Sequence, residues 1–145
     1  MTDSSTSAGY SGTPLPRKLG IKPGHRVAFV GEPAGFRATL GELPADVAIV
    51  EGEEGGAPLD LAVFFTTSAD ELRARFGALA AELAPAGMLW IAWPKKAARV
   101  ATDLDENVVR EIGLAAGLVD TKVCAIDAVW SGLRFVVRLA DRPRR

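Results

Sequence analysis

The stretch RVAFVGEPAGFRATLGELPADVAIV (residues 26–50) decides the fold of this chain. RVAFV (26–30) is a short apolar run bounded by turn residues, which is typical of a buried strand. GFRATLGEL (35–43) can form one short helix that Pro44 limits, and DVAIV (46–50) is a second apolar run of the strand type. A strand, a helix and a strand in this order predict a parallel pair joined by a crossover helix.

The alternation of strand and helix continues along the chain. LAVFF (61–65) predicts a third strand, and Ser68 with Glu71 forms a capping box for a helix from 69 to about 84. MLWIAW (88–93) predicts a fourth strand. The pattern therefore favours an α/β protein with a parallel sheet.

The last third of the chain predicts one more helix and a hairpin. Asp103 and Glu106 are a second cap pair, opening a helix that runs to about Ala116. TKVCAIDAVW and LRFVVRL then form two strands around the two-residue turn Ser131-Gly132. Asp127 is interpreted as a charge on the open side of an edge strand. The expected fold is a Rossmann-like, mostly parallel sheet with helices on both faces and a C-terminal antiparallel hairpin.

Composition limits the class of protein. The 145 residues predict one α/β domain over 14–140, between a flexible polar tail (1–13) and a short basic tail (141–145). A net charge of −1 argues against nucleic acid as the partner, and no apolar run approaches the ~20 residues of a membrane span. The N-terminus has no secretory signal pattern, and a single cysteine excludes an internal disulfide, so we expect a cytoplasmic protein.

Cations follow the fourth predicted strand, where Lys95 and Lys96 come directly after Pro94. Ligands of open α/β sheets bind beyond the carboxyl ends of the strands, and the helix start near Ser68 would offer free N–H groups on that same edge. Trp93 closes its strand and could border the same pocket. These residues predict a site for a small anion.

A local alternative needs no ligand. Asp103, Asp105 and Glu106 open the next helix and could pair with the two lysines, which would neutralise this edge. The sequence leaves both interpretations open. The chain's one histidine, His25, and its one cysteine cannot build a metal site, and no catalytic residue is predicted.

Two segments resemble class I S-adenosylmethionine (SAM)-dependent methyltransferases. LGIKPGHRVAFVGEPAG is similar to their opening leucine, PG turn, strand and glycine loop, and LAPAGMLWIAW is similar to their later LxPGGxLxI stretch. The resemblance implies that Gly31 and Gly35 match the first and third glycines of the loop. It also implies that Glu51, twenty positions after Gly31, stands where an acid holds a ribose hydroxyl.

The sequence departs from that family at two positions: Pro33 replaces the middle glycine of the loop, and Phe29, two places before Gly31, replaces an acid. Glu32 also places negative charge where a dinucleotide pyrophosphate would lie, which argues against a nicotinamide or flavin cofactor. We therefore expect a methyltransferase-like domain that is not an enzyme, carries no cofactor and binds a small anion or a protein partner. The alternative is a SAM-dependent methyltransferase with an atypical cofactor loop.

A second resemblance, to a different family, covers most of the chain. GYSGTPLPRKLGIK, IAWPKK and VDTKVCAIDAVWSGLRFVVR, between Gly9 and Arg138, are similar to a family of small bacterial proteins known only as a domain of unknown function. This resemblance implies a stand-alone small protein and supplies no catalytic residues.

Overall fold

The computed structural model describes residues 13–50 and 57–142. Its helices are α1 (Leu15–Leu19), α2 (Phe36–Leu40), α3 (Ala69–Ala81) and α4 (Glu106–Ala115), with two short 3₁₀ turns at Lys96–Ala98 and Leu139–Asp141. Its strands are β1 (Arg26–Val30), β2 (Ala48–Ile49), β3 (Leu59–Phe65), β4 (Leu83–Pro94), β5 (Leu118–Ala125) and β6 (Trp130–Val137). The predicted tail lies outside the described residues except for Thr13, and Glu51 lies outside them too.

The six strands form one sheet in the order β2-β1-β3-β4-β6-β5. Strands β2, β1, β3 and β4 are parallel neighbours, whereas β6 runs antiparallel to both β4 and β5. The predicted Rossmann-like α/β fold is therefore confirmed. The closing hairpin places its second strand, β6, next to β4, so that β5 becomes the edge.

Each face of the sheet carries its own core. Face A is covered by α3 and α4, which bury Leu72, Phe76 and Ile112 against the sheet. Face B is covered by α1 and α2, whose apolar side chains include Leu19 and Phe36. Alternate residues of each strand point to opposite faces, which divides the apolar strands between the two cores.

The start of α3 is where the sequence predicts it. Ser68 is the N-cap, and its Oγ accepts a hydrogen bond from the backbone N–H of Glu71 at 3.1 Å. The second half of the predicted capping box is absent, because the Glu71 carboxylate accepts from the Thr66 hydroxyl instead. The helix ends at Ala81 rather than near 84, since β4 already begins at Leu83.

The predicted turn Ser131-Gly132 is wrong. Both residues lie inside β6, where Gly132 pairs with Ala92 of β4 and Cys124 of β5. The chain turns at 126–129 instead, and Asp127 Oδ1 accepts hydrogen bonds from Val129 and Trp130 N–H, both at 2.8 Å. Asp127 thus stabilises the turn, and the prediction that its charge lies on the open side of an edge strand is wrong.

Two other elements differ from their predicted form. β2 is only two residues long, and its last pairing is Ile49 with Val27, three residues before β1 ends. At α4 the cap is Asp105, which accepts from Val108 N–H at 2.9 Å, and not Asp103. None of the helices within 13–50 and 57–142 has the length and apolar character that crossing a membrane requires.

Candidate functional site

The carboxyl ends of β1, β3 and β4 meet at one edge of the sheet. Three segments leave the sheet there: residues 31–35, residues 66–68 and residues 95–105. After β1 the chain crosses to β2 on one side, whereas β3 lies on the other side of β1. The order of the strands therefore reverses between β1 and β3, which is where open α/β sheets bind ligands.

The loop between β1 and α2 depends on its two glycines. Gly31 has φ of +70° and Gly35 has φ of +85°, in the left-handed region that favours glycine. A Cβ added to Gly31 would lie 2.8 Å from the carbonyl oxygen of Phe65, so this glycine also lets the loop approach the end of β3. A Cβ on Gly35 would meet nothing within 4 Å, so only its backbone conformation requires glycine.

The departures from the glycine pattern have local explanations. Glu32 forms a two-pronged ion pair with Arg37 of α2, at 2.7 and 2.9 Å, so its negative charge is balanced within the loop. The Arg37 guanidinium also lies 5.1 Å from the ring centroid of Phe29, which stands where the family has an acid. The Pro33 carbonyl accepts from Phe36 N–H at 3.1 Å and thereby begins the turn into α2.

The start of α3 is already occupied by the chain's own side chains. Asp103 accepts a hydrogen bond from Ala69 N–H at 2.8 Å, while Ser68 caps the helix as described above. The Thr102 hydroxyl donates to the Thr67 carbonyl oxygen at 2.6 Å and ties the loop after β4 to the same place. The helix start near Ser68 therefore contributes no free anion site of the kind the sequence predicts.

Lys95 and Lys96 are free of the ion pairs that the local alternative requires. Across the described ranges neither lysine lies within salt-bridge distance of an acid. Glu106 instead pairs with Arg110 at 2.6 Å, which is one of the two contacts that raise the pKa of that guanidinium. The two lysines are also unequal, since Lys95 is half-buried and Lys96 is exposed.

The structure places Trp93, near the end of β4, and Trp130, at the start of β6, on opposite faces of the sheet. Trp93 is 5% exposed and packs in the core of face A, away from the loop that leads to α2. Trp130 is half-buried on face B and makes an edge-to-face contact with Phe65, with ring centroids 5.3 Å apart. Phe65 in turn contacts Phe36 at 4.8 Å, so a row of aromatic rings joins the start of α2 to the start of β6.

A groove of about 1370 Å³ opens on face B. Its lining comes from α1 and the segments beside it (13–18 and 21–23), the end of α2 and the chain after it (39–44), the β5–β6 turn with the residue before it (125–128) and Lys95. Of the predicted site residues that the structure describes, only Lys95 lines this groove. Sequence reasoning missed the groove because it is built from four segments that are distant in the chain.

The solved structures that resemble this fold include SAM-dependent methyltransferases. Ribosomal protein L11 methylase from Lactobacillus delbrueckii subsp. bulgaricus matches with a TM-score of 0.58 at 15% identity, covering 86% of this chain and 75% of that chain. A methyltransferase from Aquifex aeolicus matches with a TM-score of 0.55 at 19% identity, covering 83% and 86%. Magnesium protoporphyrin IX methyltransferase from Synechocystis PCC 6803, solved with bound S-adenosylhomocysteine (SAH), matches with a TM-score of 0.55 at 14% identity, covering 80% and 75%.

Sequence comparison adds nothing to the similarity in fold. No family model matches the chain, and no curated protein is similar to it in sequence. The resemblance to small bacterial proteins of unknown function is thus without support, whereas the resemblance to the methyltransferase fold is supported.

These comparisons correct two expectations. The expectation that the chain is not an enzyme is wrong, because the three solved structures named above, which resemble its fold, are methyltransferases. The expectation that no cofactor is involved is likewise wrong, because one of these enzymes is solved with SAH bound and again with SAM bound. At identities of 14–19% the similarity establishes the fold.

Proposed function

We propose that this chain binds SAM at the carboxyl edge of β1 and β3 and catalyses methyl transfer from it. One observation carries the proposal: in a fold that SAM-dependent methyltransferases share, the loop between β1 and α2 keeps left-handed glycines at both ends, Gly31 and Gly35. The proline between them occupies the turn into α2 and leaves both glycine conformations intact.

The loop offers polar groups that suit such a cofactor. The backbone N–H groups of Glu32, Ala34 and Gly35 donate to no other residue in the part of the chain that the structure describes. Glu32 is held by Arg37, so the loop presents these amides without an unbalanced carboxylate. Backbone amides at this point of an open α/β sheet are suited to polar cofactor groups.

We also assign Glu51 to the cofactor site. It follows β2 along the chain, and a carboxylate there would accept hydrogen bonds from ribose hydroxyls. Gly31 contributes indirectly, because its lack of a side chain allows the loop to lie against the end of β3.

SAM held there would supply an electrophilic methyl group for transfer to a nucleophilic acceptor, with SAH as the other product. The chain's own task is to hold the acceptor against that methyl group and to exclude water. Positioning of this kind lowers the barrier by several kcal/mol without a dedicated acid–base pair. Thr66 lies at the required edge, where its buried hydroxyl is fixed by Glu71 and by Ser68 N–H.

Calorimetric titration and thermal unfolding with SAH test the proposal. Saturating SAH should raise the unfolding midpoint, because a ligand that binds the native state alone adds about 2.7 kcal/mol at a hundred times its dissociation constant. Gly35→Ala should abolish this rise, and Glu51→Gln should reduce it.

Gly24→Ala is the matched control for Gly35→Ala. Gly24 also has a positive φ, +79°, and open space around its Cβ position, but it lies in the turn before β1 at the opposite end of the strand. Both variants should lose similar stability, and only Gly35→Ala should lose the response to SAH. An unchanged midpoint and no heat of binding with the unmodified chain would contradict the proposal.

A further inference from the structure

The groove on face B has an apolar floor. Leu15 of α1, Leu40 of α2 and Ile126 of the β5–β6 turn line it, and all three belong to the buried core of this face. Leu43 and Pro44 add half-buried apolar surface beside them. The volume, about 1370 Å³, is sufficient for an apolar small molecule, since ordinary small-molecule pockets have ~300–1000 Å³.

The rim of the groove is cationic. Four basic residues and two acidic ones line it: Arg17, Lys18, Lys22, Lys95, Glu42 and Asp127. The four cations outnumber the two carboxylates, and the Asp127 carboxylate accepts hydrogen bonds from two backbone N–H groups of its own turn. A ligand in the groove therefore meets an excess of positive charge.

Lys95 is the cation with the most direct access to the sheet edge. The Nζ of Lys18 donates to the Ala125 carbonyl oxygen at 3.1 Å, which holds α1 against the end of β5. Lys95 makes no ion pair with any residue in 13–50 or 57–142, and its backbone N–H is fixed to the Val129 carbonyl oxygen at 2.7 Å. A rigid backbone and an unpaired side chain favour Lys95 as the anchor for an anionic group.

The groove also reaches the edge where methyl transfer would occur. Lys95 directly follows β4, whose last residue Pro94 pairs with Trp130. From Trp130 the aromatic contacts run through Phe65 to Phe36, at the end of the glycine loop. One end of the groove thus adjoins the proposed cofactor edge.

We propose that this groove binds a small organic anion with an apolar body, whose charged group lies on Lys95. That this anion is the methyl acceptor rests on the function proposed above. An apolar floor stabilises the body of such a ligand by burial, and the cationic rim selects acids over neutral compounds of the same shape.

The test uses the full-length ¹⁵N-labelled chain and a matched pair of probes, 3-phenylpropionate and 3-phenylpropionamide. Titration with the acid should shift the amide resonances of residues 39–44 and 125–128, and the neutral amide should bind several-fold more weakly. Lys95→Met keeps the aliphatic stem and should weaken binding of the acid by about fivefold, as loss of one exposed charge pair predicts.

Lys96→Met is the control, because Lys96 is the adjacent lysine, is exposed and does not line the groove. It should leave the affinity for 3-phenylpropionate unchanged. Equal binding of acid and amide, equal loss in both lysine variants, or shifts confined to other segments would each overturn the proposal.

Titration of the same samples with SAH separates the two proposals. If residues 31–35 responded to SAH and the groove did not respond to the acid, the anion site would be overturned and the proposed SAM binding would stand. Binding of the acid in the groove without any response to SAH would support the anion site and overturn its assignment as the acceptor site.

Discussion

The two faces of the sheet are closed in different ways. On face A, α3 with thirteen residues and α4 with ten cover the strands, and their apolar side chains form one buried core with the sheet. On face B, α1 and α2 have five residues each, and both line a groove of about 1370 Å³ together with the β5–β6 turn. Face A therefore supplies most of the packing, and face B leaves apolar surface open to a ligand.

The same difference indicates that residues of face A contribute mainly to stability, whereas residues of face B are available to bind a ligand. Residues on face A that looked functional in the sequence, Trp93 foremost, prove to be core. On face B, Trp130 is half-buried, and Ile126 of the β5–β6 turn lines the groove. The comparison predicts that a change of the same chemistry has a larger effect on stability on face A.

The largest contrast is expected between two leucines. Leu72→Ala removes a fully buried side chain from face A and should lower the free energy of unfolding by about 3 kcal/mol, because it leaves a closed cavity. Leu43→Ala, in the groove of face B, should cost about 1 kcal/mol, since water can fill the space. Urea unfolding measures both, and equal losses would contradict the comparison.

Two glycines in the helices that cover face A test the packing of that face. A Cβ on Gly113 of α4 would lie 2.0 Å from the ring of Phe135, so Gly113→Ala should destabilise by about 2 kcal/mol. Gly77 of α3 is exposed with open space around it, so Gly77→Ala should stabilise by about 1 kcal/mol through helix propensity. Denaturant midpoints of the two variants should move in opposite directions; a gain in both would show that α4 packs more loosely than the structure shows.

A smaller effect is expected in tryptophan fluorescence. Trp90 and Trp93 are buried, and Trp90 Nε1 also donates to the Leu19 carbonyl oxygen at 2.8 Å, whereas Trp130 is half-buried. Acrylamide should therefore quench one component of three, and Trp130→Phe should remove that component. If the quenchable component persisted in Trp130→Phe, Trp130 would not be the accessible tryptophan, and the predicted exposure of face B at this residue would be contradicted.

The smallest effect concerns Cys124 on the inner side of face B. Burial raises the pKa of its thiol, and the nearby cations Lys18, Lys122 and Arg134 lower it only in part. Because the protonated thiol is favoured in the folded chain, this contribution to stability is present at neutral pH and is lost as the pH rises through the folded pKa. Iodoacetamide should thus label the native chain more slowly than the urea-unfolded chain at pH 8, and equal rates would contradict the burial.

Local rules predicted the elements whose causes are local. The apolar run 26–30 forms β1, and Ser68 caps α3, because each depends on residues that are neighbours in the chain. Gly31 and Gly35 were identified by their resemblance to the methyltransferase glycine loop, and both adopt the left-handed backbone conformation that favours glycine. The candidate cofactor loop was therefore visible in the sequence.

The predictions failed where the conformation or role of a residue depends on a partner that is distant in the chain. Ser131-Gly132 is a good turn by composition, but a Cβ on Gly132 would lie 3.0 Å from the Trp90 ring, so this glycine serves sheet packing within β6. Asp103 looks like a cap for the helix that follows it, yet it accepts a hydrogen bond from Ala69, thirty-four positions away. Neither partner can be identified from spacing along the chain.

By itself the sequence determined the class of fold and the order along the chain of its strands and of the helices α2, α3 and α4. These follow from apolar periodicity and capping, which act over a few residues. The glycines of the loop after β1 were identified by their resemblance to the methyltransferase glycine loop. Only the tertiary structure decided which tryptophan is buried, which lysine borders the groove and that a groove exists at all. Those properties depend on which segments of the chain meet across the sheet, and such meetings are set by packing over the whole molecule.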